Sequence, residues 1–262
     1  MVTIVILTMS YPKRVMECLD RQTYLDFEVI LAHEKGIVRA MNAALLKAKG
    51  EIFVRIDDDV ELPSHWLAEL VKPFDSQYVA GVTGPTFVPK ELRGNRDSIR
   101  WAENPKGLLR WLYDGGEFNP AGIYKCGNVS YDSNYEERFD RLMTMFRPDH
   151  LEGTNWAMRT DLIRYVGGFD PKFDGVAEWF DTDVEAKIKK KLRLHLVYNP
   201  KAYLYHMLGK GAHHAERFEG FGRIKNWLRY HIRHSKFHPK MIVFLIVWGG
   251  YFVWKRFQKC SK

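Results

Sequence analysis

The hydrophobic positions of this chain fall into two alternating patterns. Val2 to Leu7 is a continuous run of mostly β-branched residues, apolar except at Thr3, which predicts a strand buried on both faces. Lys13 to Arg21 has helical spacing, with Val15, Cys18 and Leu19 on one side. Phe27 to Leu31 predicts a second strand. Gly36 opens a helix with Val38, Met41, Ala44 and Leu45 on one face, and Gly50 closes it. Ile52 to Ile56 predicts a third strand. Strand, helix, strand, helix, strand in this order is the signature of a parallel sheet with crossover helices, a fold class in which ligands bind beyond the C-terminal strand ends.

The pattern continues less regularly. Pro63 to Pro73 predicts a short helix with Trp66, Leu67 and Leu70 inward, and Val79 to Val82 a strand. Residues 90–150 are rich in Gly, Pro, Asn and aromatics (Trp101, Trp111, Tyr113, Phe118, Tyr124) and predict irregular structure with one short helix around Leu108 to Leu112. That stretch reads equally as one wall of a binding site or as a packed connecting segment. Thr154 to Met158 predicts a strand, Thr160 to Val166 a helix ended by Gly167-Gly168, Asp183 to Lys191 a basic-tailed helix, and Leu194 to Tyr198 and Ala202 to Tyr205 two short strands.

The third strand runs directly into Asp57-Asp58-Asp59. Three adjacent carboxylates repel one another unless they are solvated or offset by a cation. Placed at a sheet's C-terminal edge they suit a hard divalent metal, Mg²⁺ or Mn²⁺, of the kind that also holds phosphates. A solvated acidic turn is the alternative.

Charge and composition sharpen the picture. The 262 residues, 46% hydrophobic and 27% charged, describe an ordinary globular protein, long enough for one large α/β domain or for one domain plus an appendage. The net charge of +8 is unevenly spread: residues 184–262 carry 18 Lys/Arg against 3 Asp/Glu, leaving the remainder acidic. Such a tail seeks an anionic partner. Cys18, Cys126 and Cys260 show no metal or disulfide spacing, and the N-terminus reads as a strand rather than a leader, so a reducing, cytoplasmic setting is expected. Asn128-Val129-Ser130 is taken as a chance sequon. Met241 to Trp254 is uncharged but as a helix spans only roughly 21 Å, short of the ~30 Å hydrocarbon core. Lys240 precedes it, Lys255, Arg256, Lys259 and Lys262 follow, and Trp248, Tyr251 and Trp254 are interfacial residue types. With the basic, aromatic stretch Arg223 to Lys240 this predicts a helix lying in an anionic membrane face; the alternative is a core helix or an oligomer contact. The expected division is a domain over residues 1–222 and a basic, apolar helical tail over 223–262.

The ordered motifs resemble the family 2 glycosyltransferases, whose fold is GT-A, over roughly residues 1–230. The resemblance rests on Gln22-Thr23-Tyr24 before Phe27-Glu28-Val29-Ile30, the run from Gly36 to Ala44 with Asn42, Ile56-Asp57-Asp58-Asp59 with Glu61-Leu62-Pro63 as a DXD strand end, Gly153 to Arg159 leading to Val166-Gly167-Gly168-Phe169-Asp170, the acidic stretch Glu178-Trp179-Phe180-Asp181-Thr182-Asp183, and Tyr205-His206. It implies an α/β fold with a Rossmann-like, mixed but mostly parallel central sheet flanked by helices. It implies transfer of a sugar from a nucleotide-diphosphate donor, with inversion. Asp59 is the first metal ligand expected, with Asp57 sharing the metal or touching the ribose, and His206 adding an imidazole; a packed core histidine is the alternative for His206. Asp181 is the expected base for the acceptor hydroxyl, with Glu178 and Asp183 as competitors. Donor contacts are expected from Thr8, Glu34, Arg39, Asn42, Asp57 and Asp58.

The chain also departs from that family's pattern. Ala32-His33-Glu34-Lys35 runs almost straight into Gly36, without the usual base-reading loop, and Glu34 is left as the candidate acid. Thr8-Met9-Ser10 replaces a proline-containing turn. The acidic stretch reaches Asp181 and Asp183 only with an insertion; without it Glu178 leads. The acceptor is expected to be a glycan or a polyprenyl-linked lipid. Two other function classes remain: a non-catalytic nucleotide-sugar or membrane-binding module on the same fold, and a nucleic-acid binder, which no helix-turn-helix, RNP-like or zinc-finger pattern supports.

Overall fold

Continuous apolar runs need cover on both faces, and the central strands have it. The computed structural model describes residues 1–94, 105–139, 144–208 and 220–260. Its elements are β1 (Val2–Leu7), α1 (Lys13–Leu19), β2 (Phe27–Ala32), α2 (Ile37–Lys47), β3 (Ile52–Asp57), β4 (Val60–Glu61), α3 (Trp66–Val71), β5 (Val79–Thr83), β6 (Thr86–Phe87), α4 (Lys90–Arg93), α5 (Gly107–Leu112), β7 (Asn155–Arg159), α6 (Thr160–Tyr165), α7 (Phe180–Leu192), β8 (His195–Tyr198), β9 (Leu204–His206), α8 (Gly220–His234) and α9 (Pro239–Cys260). Trp101 and Lys262, and the side chains of Lys255, Arg256 and Lys259, lie outside the described residues.

The main sheet has the order β2-β1-β3-β7-β5-β8. All neighbours are parallel except β7, which is antiparallel to both β3 and β5. Alternation along β1 and β3 sends Ile4, Ile6, Val54 and Ile56 into one core with α1 and α3, and Val5, Leu7 and Phe53 into the other with α2 and α7. Arg55 and Asp57 share the Phe53 side by the same period of two. The register pairs Leu7 with both Ala32 and Asp57, so β1, β2 and β3 end at one edge.

Gly50 does not close α2, as the sequence suggests; Ala48 turns out of the helix first. Its glycine identity has another cause: a Cβ there would sit 2.4 Å from the Thr3 amide nitrogen. The second sheet, β4-β9-β6, has no counterpart as a sheet in the sequence pattern. β4 and β6 are two residues each, too short to carry a periodic signal. Asn155 joins the two layers. It is fully buried, accepts from Trp66 Nε1 at 2.9 Å, and donates to Pro85 O at 3.0 Å and Ala202 O at 2.8 Å. Asn155→Leu strands the Trp66 Nε1–H and Ala202 O, while Pro85 O keeps its bond from the Leu204 amide at 3.0 Å, and it is expected to destabilise the protein by about 2 kcal/mol or more, at ~1–3 kcal/mol per orphaned group. A urea midpoint unchanged from wild type would refute this role.

The tail is helical but only half exposed. Met241 and Phe244 of α9 are buried in the α2-side core, with Val243, Leu245, Val247 and Trp248 packed against it. Among the described residues no helix is long and apolar enough to cross a membrane. α8 buries Asn226, Trp227, Tyr230 and His231. Its Trp227 donates to Gly127 O at 2.9 Å and its Asn226 to Phe173 O at 3.0 Å.

Candidate active site

The acidic rim of β3 is completed by the small sheet. β4 pairs antiparallel with β9 so that Val60 lies opposite His206, and the Met207 amide donates to Asp59 O at 2.8 Å. This register brings the His206 Nε2 to 3.1 Å from Asp59 Oδ1 and 4.0 Å from Asp57 Oδ2. One ligand atom from each of Asp57, Asp59 and His206 lies within 4.8 Å of the others. Two carboxylate oxygens and one imidazole nitrogen form a donor set suited to Mn²⁺ or Mg²⁺. His206, which could have been an ordinary core histidine, therefore sits among the acids.

Asp58 is not one of those three ligands. Burial raises its carboxyl above the usual range; the Thr8 hydroxyl opposes this, and Asp59 and Asp57 add to it. In the structure the Thr8 hydroxyl, beside Asp58 at the end of β1, donates to Ser10 O at 2.6 Å.

Arg55, part of no motif in the sequence, stands between two of the site's carboxylates. It sits mid-strand in β3, 4% exposed. One guanidinium nitrogen, Nη2, donates to Asp57 Oδ1 at 2.8 Å, and the other, Nη1, lies 3.6 Å from Asp181 Oδ2. The guanidinium stands 5.7 Å from the centroid of the Phe180 ring. A buried guanidinium between two buried carboxylates offsets charges that would otherwise repel. It also links the rim of β3 to the start of α7 across 126 residues of sequence. The available signal was a lone arginine inside an apolar strand, two residues ahead of an aspartate.

α7 presents Asp181 through strained backbone. Ala177 and Trp179 have φ of 54° and 71°, in the left-handed region that costs a non-glycine residue about 1–3 kcal/mol. Trp179 is held there by stacking on Tyr230 at 4.6 Å and by the edge of His231 at 5.0 Å. Asp181 and Asp183 fall in the first turn and Lys189, Lys190 and Lys191 in the last, matching the helix dipole.

The three acids of this stretch part company. Glu178 forms an ion pair with Arg223 of α8 at 2.6 Å. Asp183 is fully buried and faces away from Arg55; it pairs with Lys187 at 2.6 Å, His234 at 2.8 Å and Arg233 at 3.3 Å. Burial pushes its carboxyl up, but the bonds from His234 and Lys187 outweigh this and hold it below the ordinary value. Asp181 alone turns toward Arg55, and a Cβ on Gly153 would lie 3.8 Å from its Oδ2. Behind it on the same helix, Glu185 is buried and accepts from the Leu151 amide at 3.1 Å. Burial first, then the Asp181 charge, raises its carboxyl well above the ordinary value. Burial also raises Glu152, which accepts from Ser133 at 2.7 Å.

The remaining candidates are placed further out. Asn42 donates to Phe169 O at 2.8 Å and accepts from Phe169 N at 3.0 Å, so its amide joins α2 to the Gly168-Phe169 turn. Exposed Arg39 lies 3.8 Å from Asp174, which also accepts from the Val38 amide at 3.3 Å at the start of α2. Glu34 lies 3.8 Å from Lys47. The structure brings together Asp57, Asp58, Asp59, Thr8, His206, Arg55 and Asp181; Glu34, Arg39, Asn42, Glu178 and Asp183 have partners outside that group.

Residues 13–167 match the family model described as Glycosyl transferase family 2. No curated protein matches the chain. Among solved structures, the crystal structure of GalNAc-T7 with UDP, GalNAc and Mn²⁺ superposes with a TM-score of 0.59 at 14% identity, covering 88% of this chain and 47% of that one. The mannosyltransferase PcManGT from Pyrobaculum calidifontis, in complex with GDP-Man and Mn²⁺, superposes with a TM-score of 0.52 at 17% identity, covering 96% of this chain and 69% of that one. This chain thus spans about half the length of GalNAc-T7. The shared fold is GT-A: a mixed, mostly parallel sheet flanked by helices, as the sequence resemblance implied.

Proposed function

The chain belongs to glycosyl transferase family 2, and from that premise we propose that it moves a sugar from a nucleoside diphosphate donor to a hydroxyl acceptor, with metal dependence and with inversion, at the cytoplasmic face of a membrane. The observation that carries this reading is the link Asp59–His206–Asp57–Arg55–Asp181, which joins a metal-type ligand set to a separate carboxylate on one side of β3.

Asp57, Asp59 and His206 would hold Mn²⁺ or Mg²⁺. Such an ion, when bound, neutralises negative charge on a diphosphate leaving group. Asp58 and Thr8 complete the donor edge, with Glu34 and Arg39 at its periphery. Asp181 accepts the proton of the acceptor O–H. The acceptor oxygen then bonds to the anomeric carbon as the bond from that carbon to the phosphate oxygen breaks, and the electron pair leaves with the nucleoside diphosphate. Attack on the face opposite the leaving group inverts the centre. Arg55 holds Asp181 and Asp57 at a fixed separation. Glu178 and Asp183, each paired to cations of α7 or α8, orient the helix that carries the base. The acceptor class we favour is a lipid-linked or growing glycan.

GDP-, UDP- and dTDP-sugars screened for thermal stabilisation with Mn²⁺ and with EDTA test the donor and metal parts together. One nucleotide class at 100 times its Kd is expected to add about 2.7 kcal/mol, or roughly 5–10 °C in Tm, and to lose most of that in EDTA. Stabilisation by none of them, or an equal shift in EDTA, would overturn the reading.

A further inference from the structure

The outer face of α8 is a surface the proposed chemistry does not use. Its inner residues are committed to the fold, but Phe221, Ile224, Leu228 and Ile232 recur at helical spacing along the outside and line a groove of roughly 450 Å³. Phe221 is 64% exposed and Ile232 81%. Lys225, Arg229 and Arg233 line the same groove at four-residue spacing. Arg229 bonds to neutral groups, Lys172 O at 2.6 Å and Asn226 Oδ1 at 2.9 Å, and so keeps its charge. Arg233 is partly offset by Asp170 and Asp183. Exposed Lys236 extends the basic row. Residues 220–262 contain ten Lys/Arg and no Asp or Glu.

α9 repeats the arrangement. It leans on α8 through Phe244 against Trp227 at 6.0 Å, and Arg223 lies 5.5 Å from the Trp248 ring centroid. Ile242, Ile246, Val253 and Trp254 are exposed. Apolar side chains displayed at helical period and bordered by cations, on two helices that carry no acid themselves, match a bilayer whose headgroups are anionic. A soluble monomer seldom leaves such a contiguous apolar stripe in water.

We propose that the outer face of α8, extended by the exposed side chains of α9, docks on an anionic lipid surface. The sequence pattern points to Met241 to Trp254 together with the basic stretch Arg223 to Lys240; the principal contact falls on α8, because α9 buries its inner face against the protein. The geometry also has a consequence for the active site, and this part rests on the glycosyltransferase reading. Arg233 and His234 of α8 hold Asp183, two residues beyond Asp181. A bilayer against α8 therefore lies about one helix diameter, ~10 Å, from the helix that carries the base, where an acceptor hydroxyl on a lipid headgroup would arrive.

The test uses the full chain and sedimentation with vesicles of phosphatidylcholine alone or with phosphatidylglycerol added, at low and high salt. Binding is expected only with phosphatidylglycerol and is expected to weaken at high salt. Leu228→Glu and Ile232→Glu are each expected to weaken partition by about tenfold or more. Lys225→Glu and Lys236→Glu should each weaken it by about fivefold or more. Leu46→Glu, at an exposed position of α2, is expected to bind as wild type. Equal binding to neutral vesicles, no binding, or unchanged binding by Leu228→Glu and Ile232→Glu at wild-type Tm would overturn the proposal. So would a concentration-dependent dimer abolished by the same two substitutions, which would assign the face to a second copy. The readout needs no turnover, so its failure leaves the donor chemistry standing, and failure of the donor screen leaves the vesicle result standing.

Discussion

Asp181→Asn is expected to lower kcat by about 10³-fold, within the ~10²–10⁴-fold range of general-base catalysis, with donor affinity within a few-fold of wild type. The amide keeps the shape and can still face Arg55, but it cannot take the acceptor proton. The fold should tolerate the change. The change removes one of the two carboxylates that offset the buried Arg55 guanidinium, while Asp57 still accepts from it at 2.8 Å, so the Tm is expected to fall by no more than a few degrees. Glu178→Gln and Asp183→Asn should behave differently: each takes the counter-charge from a cation of α7 or α8, Arg223 in the first case and Lys187 in the second. Their expected signature is lost stability with a smaller fall in kcat. Transfer measured beside nucleotide binding separates these outcomes. If Asp181→Asn turned over at the wild-type rate, the base would have to be sought elsewhere. If the wild type bound donor but neither transferred nor hydrolysed it, the non-catalytic module would be the better account.

Arg55→Lys is expected to lower kcat by about 10²-fold with donor KM changed by less than about threefold. Lysine keeps the charge but is a single point donor on a flexible stem. It cannot reach Asp57 and Asp181 with two nitrogens of one rigid plane, as Arg55 does at 2.8 and 3.6 Å. A displacement of about 1 Å in a positioned group costs on the order of 10² in rate. Arg55→Gln, which also removes the charge, should cost more than Lys and lower the Tm, because two buried carboxylates then face each other uncompensated. Partial recovery in Lys relative to Gln, with Mn²⁺ binding by the metal alone retained in Lys, is the pattern that marks positioning. Equal kcat in wild type and Arg55→Lys would refute it.

Much of this protein was legible before its structure. A strand covered on both faces must be apolar at every position, so β1 and most of β3 announced themselves. Helices covered on one face repeat every three to four residues, so α1, α2 and α3 did too. The run from Gly36 to Lys47 and the short helix near Leu108 were equally local signals. β4 and β6 were not legible: two residues cannot show a period, and they become strands only because β9 lies between them. The buried faces of α8 and α9 were hidden for a related reason. Basic, aromatic sequence reads the same against a membrane or against Trp179 and Gly127, and only the packing separates the two.

The site divides the same way. Local pattern alone put Asp57, Asp58 and Asp59 at a strand end, where a sheet edge gathers charge, and put Glu178, Asp181 and Asp183 around the start of a helix. It could not rank those last three, because their differences lie in partners far along the chain: Arg223 for Glu178, His234 for Asp183 and Arg55 for Asp181. Chain segments thus carry the information for their own backbone, since burial and hydrogen bonding act residue by residue. The fate of a charged side chain is set by which counter-charge the finished fold brings within about 4 Å, and that distance exists only once the sheet has closed.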